Sequence, residues 1–249
     1  MIQLKSEKEI RKMGEAGRKL ARVLKKLQNE VKAGMKTKEL DQLAEKLIAV
    51  EGGKPNFKNY EGFPTALCTS VNEAAVHQLP GEYQLQSGDI LSLDLGLEYK
   101  EFQADTATTI GVGPIPPLTQ KLIRVTREAL YRGIKVARTG NHLGDIGFAV
   151  ESYVIQRGMG VVKELTGHGI GRELHEDPTV FNFGKKGEGL IIQPGLVICI
   201  EPIVSLGSTE IELGEDGFSY RSVDGSLTAH FEQMIAVTSQ GPQILTTLL

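Results

Sequence analysis

Long apolar runs are missing from this 249-residue chain, and none approaches the roughly 18 residues that a membrane-spanning helix needs. The opening MIQLKSEKEIRKMG is charged and patterned as a helix, with no apolar signal core and no small-residue cleavage site, so no secretory leader is expected. Cysteine is scarce. Cys68 and Cys199 lie far apart without metal-site spacing, and read as buried thiols of a cytoplasmic protein. A formal charge of −3 gives no support for binding to nucleic acid or a membrane surface. No Ser-His-Asp or Cys-His set offers a nucleophile, HExxH is absent, and Gly167, Gly169 and Gly171 lack the GxGxxG spacing of a dinucleotide loop. What remains is an ordinary globular composition, 40% hydrophobic and 24% charged, long enough for one large domain or two small ones.

The apolar spacing of Ile10, Met13, Gly17, Leu20, Leu24, Leu27 and Val31 predicts a helix from Ser6 to Val31, with Ser6 and Glu9 as a capping box. Thr37 is expected to cap a second helix carrying Leu40, Leu43, Leu47 and Ile48, which Gly52-Gly53 ends. Strands are predicted at Ala66–Ser70 and at Ile90–Leu97, the latter paired with Glu101–Val112. The pattern restarts after Gly113-Pro-Ile-Pro-Pro117. A helix is expected from Thr119 to about Ala137, and another from Asp145 to about Gln156. Laying Gly34 on Gly140 puts Glu39-Leu40 on Asp145-Ile146, Leu43 on Ala149, Leu47 on Tyr153 and Ile48 on Val154. Chance likeness between two helix starts is one account. A duplicated α/β half-domain is the more economical one, and it predicts one sheet system with helices on its outer side and a site at the seam.

The stretch LSLDLGLEYKEFQAD alternates apolar and polar residues, yet sets Asp94 and Asp105 on one inward face. With a turn at Tyr99-Lys100 the two are direct cross-strand neighbours, about 4.5–5.5 Å apart at Cβ. Tyr-Lys is poor two-residue turn chemistry, so a longer loop and a diagonal pair stay open; any even shift keeps both on one face. One protonated acid sharing a hydrogen bond, or an exposed edge, would be the ordinary explanation.

Other residues share the anomaly. GHGIGRELHEDP places His168 and His175 among three glycines, which let backbone come close to something bulky. VICIEPIV carries one acid, Glu201, and LTAHFEQMIAVT carries Glu232. A core histidine is commonly just structural, and an acid in an apolar strand is commonly a salt-bridge partner. A divalent metal centre replaces these separate explanations with one. Four carboxylates and an imidazole form an oxygen-rich set, suited to two carboxylate-bridged ions more than to one structural zinc. Two ions roughly 3.5–4 Å apart hold a hydroxide nucleophile near neutral pH and polarise a carbonyl, which points to hydrolysis. Glu201 is placed to relay a proton to a leaving amine.

The chain resembles the type I methionine aminopeptidases nearly end to end. KSEKEIRKMGEAGR, GFPTALCTSVNEAAVHQLP, GDILSLDLGL, ADTATT, GHGIGRELHEDP, IEPIV and AHFEQ carry the likeness in order. It implies the duplicated pita-bread fold of the creatinase and aminopeptidase group, an α/β (α+β) fold with a curved, mostly antiparallel sheet, helices outside and a central dinuclear site. One catalytic domain over 1–249 with two pseudo-symmetric halves, about 1–113 and 114–249, is expected. Asp94, Asp105, His168, Glu201 and Glu232 are implied as metal ligands, Asp105 and Glu232 bridging. His77 and His175 are implied contacts of the substrate near its scissile amide, and Glu201 a proton shuttle. Tyr60, Phe63, Cys68, Leu174, Ile203 and Phe218 are the implied side-chain pocket.

Departures from the family pattern concern specificity. Leu174 stands where an aromatic residue is common, Ile203 for Met, Val76 for Cys and Phe218 for Trp, and Glu232 is followed by Gln233-Met234 in place of His-Thr. The pocket stays apolar, but single-methylene differences discriminate by only about 1–3 kcal/mol. The implied activity is removal of the initiator methionine from chains with a small second residue; the alternative is an aminopeptidase for another apolar residue or for Xaa-Pro. Implied cofactors are two divalent ions, with Co²⁺, Mn²⁺, Fe²⁺ and Zn²⁺ all compatible with the ligands. Implied partners are the N-termini of nascent peptides, with the ribosome a place of encounter. No nucleic acid or membrane is expected, and nothing demands more than a monomer. The roles of His230 and Gln233 stay open.

Overall fold

Four helices and a set of antiparallel strands build the molecule; the structure, a computed structural model, describes residues 2–247. Helix α1 spans Glu7–Glu30, α2 Thr37–Val50, α3 Pro117–Val136 and α4 Leu143–Ile155. The capping box of α1 forms as expected: the Glu9 amide donates to Ser6 Oγ, and the Ser6 amide donates to Glu9 Oε2 at 2.9 Å. No described helix is long and apolar enough to cross a membrane.

Three helix starts differ from expectation. Thr37 is the first helical residue of α2, not its cap; its hydroxyl accepts from the Gly81 amide at 2.8 Å, and Lys36 caps. Asp145 likewise sits inside α4, where it accepts from the amide of the capping His142 at 2.7 Å. α3 begins two residues before Thr119, because Pro117 suits a first turn that needs no amide donor.

Strands Ile90–Tyr99 and Phe102–Gly111 form a long hairpin, with Leu67–Val71 and Lys54–Pro55 also paired to the first of them. Leu91, Leu93, Leu95 and Leu97 all enter one apolar cluster with Met13, Leu20, Leu27, Leu40 and Ile48 of α1 and α2. Period-2 alternation therefore turns Ser92, Asp94 and Gly96 to the opposite face. The predicted register needs correction. Tyr99 pairs with Phe102, so Lys100-Glu101 is the turn, and Asp94 faces Ala107 while Asp105 faces Gly96. Both turn residues adopt positive φ, +50° and +68°, the backbone a two-residue type I′ hairpin demands. The slip is even, so both aspartates keep one face and lie diagonally. The first strand over Ala66–Ser70 is likewise displaced by one residue.

A five-stranded set follows the order Gly241–Ile244, Gln233–Thr238, Val197–Ile200, Gly167–Gly169, Glu176–Val180. Two smaller sets are Thr228–His230 with Ile203–Ser205 and Gly160–Val161, and Ile211–Leu213 with Tyr220–Ser222 and Ala74–Val76. The expected single sheet system is thus divided into four hydrogen-bonded sets. Side chains and backbone stitch them together: the Glu232 amide donates to Ala107 O at 3.0 Å, and Thr106 Oγ1 donates to Glu232 O at 2.9 Å. Helices α3 and α4 close the other side through clusters around Ile134, Ile146, Ile198 and Ile235, and around Leu122, Val150 and Val204.

Candidate metal centre

The polar face of the hairpin is the floor of a cavity of about 610 Å³. Asp94 and Asp105 project from the two hairpin strands, and Glu232 from the link between Thr228–His230 and Gln233–Thr238. Glu201 follows directly on Val197–Ile200, with its carbonyl held by Asn182 Nδ2 at 3.1 Å. His168 lies between Gly167 and Gly169. A Cβ at Gly167 would sit 2.3 Å from Cys199 O, and one at Gly169 would sit 2.2 Å from Asp177 O, so only glycine lets this strand approach closely enough.

These side chains converge. Carboxylate oxygens of Asp94, Asp105 and Glu232 lie within 4.8 Å of one another, and so do ligand atoms of His168, Cys199 and Glu232. His168 Nε2 is 3.8 Å from Asp105 Oδ2 and 3.6 Å from Glu201 Oε1. Asp94 Oδ1, Asp105 Oδ1 and Glu232 Oε1 are buried and have no hydrogen-bond partner. Loss of hydration pushes all four carboxyls up, Asp94 to about 7, and mutual repulsion adds to the effect at Asp105, Glu201 and Glu232. Burial holds His168 down at about 3, so it presents a neutral ring. Acids that repel one another and a ring that resists protonation make a poor ion-pair cluster and a good donor set for a cation.

Above the floor, His175 sits at the exposed rim, 3.0 Å from the Tyr60 hydroxyl through Nδ1. The His168 and His175 rings meet edge to face, centroids 4.4 Å apart. His77 ends the strand Ala74–Val76 with φ +59°, a strained conformation for a non-glycine residue, and projects into the same cavity. Desolvation within the cleft lowers both rings, so both are neutral near pH 7. Phe63 and Phe218 form an edge-to-face wall at 5.5 Å, and Cys68 lies cross-strand from Asp94. Leu174 is buried and also lines the cavity.

Residues 11–239 match the model of metallopeptidase family M24. The chain belongs to that family. It is 44% identical to the methionine aminopeptidase of Clostridium perfringens over 248 residues, covering 100% of both chains. It is 42% identical to methionine aminopeptidase 1 of Bacillus subtilis over 246 residues, 99% of each. The crystal structure of methionine aminopeptidase from Thermotoga maritima superposes with a TM-score of 0.98 at 38% identity, covering 100% of both chains. The mixed α/β architecture is therefore the pita-bread fold expected from the sequence.

For an M24 metallopeptidase a divalent metal is implied, and the residues fit one: unpartnered buried oxygens, a neutral imidazole and an oxygen-rich donor set meet at one point. The structure brings together all five expected ligands, both expected substrate histidines and five of six expected pocket residues. Ile203 is the exception. It is fully buried with Ala75, Val76 and Val162, behind the wall and not in the lining. The strand ends at Ile200 and Glu201-Pro202 separates it from Ile203–Ser205, so alternation cannot be carried across. Gln233 turns away from the floor and accepts from Thr246 Oγ1 at 2.8 Å. Sequence reasoning missed Glu61, Glu164, Leu213 and Tyr220 in the lining. They sit in turns, loops and short strands, without periodicity to mark them.

Proposed function

We propose that this protein removes the initiator methionine from new polypeptides, preferring a small second residue. Convergence of four buried carboxylates and a neutral histidine beneath an apolar-walled cavity is the observation that carries the proposal. The full-length relatives named above bear the corresponding name, so specificity for another apolar residue or for Xaa-Pro is not favoured.

Asp94, Asp105, His168, Glu201 and Glu232 would hold two divalent ions. Bound ions supply an activated water and polarise the scissile carbonyl. The chain's own residues do the rest. Tyr60, Phe63, Cys68, Leu174 and Phe218 take the methionine side chain, and Ile203 supports Val76 from behind. Tyr60 orients His175 through Nδ1, leaving Nε2 for the substrate carbonyl, where a donor is worth about 2.7–4 kcal/mol as charge develops. His77 meets the substrate from the opposite wall, near the scissile amide. Glu201 carries a proton to the departing amine.

The chain reads as one catalytic domain of two pseudo-symmetric halves, about 1–113 and 114–249. In support, the turns before α2 and α4 repeat in detail. Gly34 and Gly140 have φ of +87° and +89°, and Glu39 and Asp145 each accept from the capping amide three residues before. A cytoplasmic monomer meeting nascent chains at the ribosome is the proposed setting, consistent with two free, buried cysteines.

Steady-state hydrolysis of Met-Ala-Ser, Leu-Ala-Ser, Met-Lys-Ser and Ala-Pro-Ser tests the reading. Met-Ala-Ser is expected to lead Leu-Ala-Ser by at least about tenfold in kcat/KM, within the range a hydrophobic pocket supplies. Preference for Leu-Ala-Ser or Ala-Pro-Ser would overturn the proposed substrate.

A further inference from the structure

One histidine near the cavity floor belongs to none of the roles above. His230 is 2% exposed, and neither Nδ1 nor Nε2 has a hydrogen-bond partner. Its backbone is locked: the His230 amide donates to Thr109 Oγ1 at 2.8 Å, and Thr109 Oγ1 donates back to His230 O at 2.8 Å. Thr109 Oγ1 is in turn 2.7 Å from Ser92 Oγ, so both hairpin strands fix this segment. Pairing of His230 with Ile203 then sets the ring against the residues that follow Val197–Ile200. Its Nε2 lies 3.7 Å from Glu201 Oε2, while Glu201 Oε1 lies 3.6 Å from His168 Nε2.

We infer that His230 is a positioning residue for Glu201, donating from Nε2 to Oε2 and thereby aiming Oε1 at the metal position. A buried ring with two unsatisfied nitrogens is destabilising unless a partner is within reach, and this carboxylate oxygen is the acceptor the geometry provides. The terminal torsion of a glutamate is broad, so a small carboxylate rotation brings 3.7 Å to hydrogen-bond length. The ring acts on one oxygen only. It leaves Oε1 free on the side of His168 and restricts the swing of the group that carries the proton. Outer-shell donors of this kind orient ligating groups and tune the ion they hold. The inference rests on the proposed ligand role of Glu201, and in its kinetic arm on the proposed peptide hydrolysis.

The test compares the full chain with His230→Leu and His230→Gln, the second keeping an amide donor at similar reach. Co²⁺ and Mn²⁺ affinities are read by calorimetry, and kcat and KM are read on Met-Ala-Ser. His230→Leu is expected to bind metal about 10–100-fold more weakly and to lose kcat by a similar factor, with KM within about twofold. His230→Gln is expected to recover most of both. If His230→Leu does not fold, judged by thermal melting, His230→Met serves as the donor-free variant. A donor-free variant with parental metal affinity and kcat would overturn the inference, as would a folded His230→Gln as impaired as the donor-free one. Failure of the unaltered protein to hydrolyse any peptide would remove the functional reading alone, since calorimetry still decides the role of His230.

Discussion

Asp105 is one of the carboxyls that burial and neighbouring negative charge push well above the usual range. It is 3% exposed, faces Glu232 and Asp94, and keeps one oxygen without a partner. Replacing Asp105 with Asn removes a negative charge from a crowded site and a ligand from the proposed centre. The metal-free variant is therefore expected to melt no lower than the parent. Its kcat/KM should fall further than the roughly 10–100-fold that loss of an outer-shell partner costs. A variant that keeps full turnover would remove Asp105 from the metal centre. The same cluster sets a pH dependence. Carboxyls whose folded pKa is raised contribute stability at low pH that is lost as pH climbs from the unfolded value of about 4 through the folded one. His168 and His230, held down at about 3, act oppositely but only below about 6.5. Above that value only the acids remain, with Asp94 titrating near 7. The Tm of chelator-treated protein is expected to fall between pH 6.5 and 8.5, and saturating divalent metal to flatten that slope. A rise in Tm over that window without metal would show that the acids are not destabilised by burial.

At the scale of elements, the hairpin Ile90–Gly111 decides where the site is. Its leucine face was legible from alternation alone, and so was the common face of the two aspartates. The register was not, because it depends on a turn whose residues disguise it. Lys100 and Glu101 both hold left-handed backbone without being glycine or asparagine, anchored by Glu15 and Arg172. Joint replacement Lys100→Asn and Glu101→Gly supplies the residues a type I′ turn prefers. It is expected to raise stability by about 1 kcal/mol, since left-handed backbone costs other residues about 1–2 kcal/mol each and the exposed ion pairs contribute less. Chemical denaturation measures this, and a loss of stability would mean the two ion pairs hold the turn more firmly than its backbone strains it. Ile203 and His230 mark the other limit of sequence reading. Each was misplaced or left open because its surroundings depend on pairing between segments far apart in the chain, Ile203 against His230 among them. The convergence of the candidate acids was legible for the opposite reason: an acid inside an apolar strand stands out whatever its partner.

The whole molecule can be seen as two layers sharing one wall. Helices α1 and α2 cover the leucine face of the hairpin, and the five-stranded set and its histidine strand complete the cavity on the other. Carboxyls crowded in that cavity oppose folding, so a cation held by them would link metal binding to global stability. Antiparallel α/β architecture followed from the sequence, and so did the set of acids and the histidine that meet in the cavity. The division into four strand sets and the cavity lining by Glu61, Glu164 and Leu213, from a short turn, a loop and a three-residue strand, did not, since neither leaves a periodic trace.

The most direct test of metal-dependent peptide hydrolysis is the turnover of Met-Ala-Ser by one preparation, measured as isolated, after exhaustive chelation, and after stepwise return of each divalent ion with bound metal counted. Activity is expected to vanish on chelation and to return in step with occupancy of the site formed by Asp94, Asp105, His168, Glu201 and Glu232. Full turnover by a preparation shown to contain no metal would contradict the account.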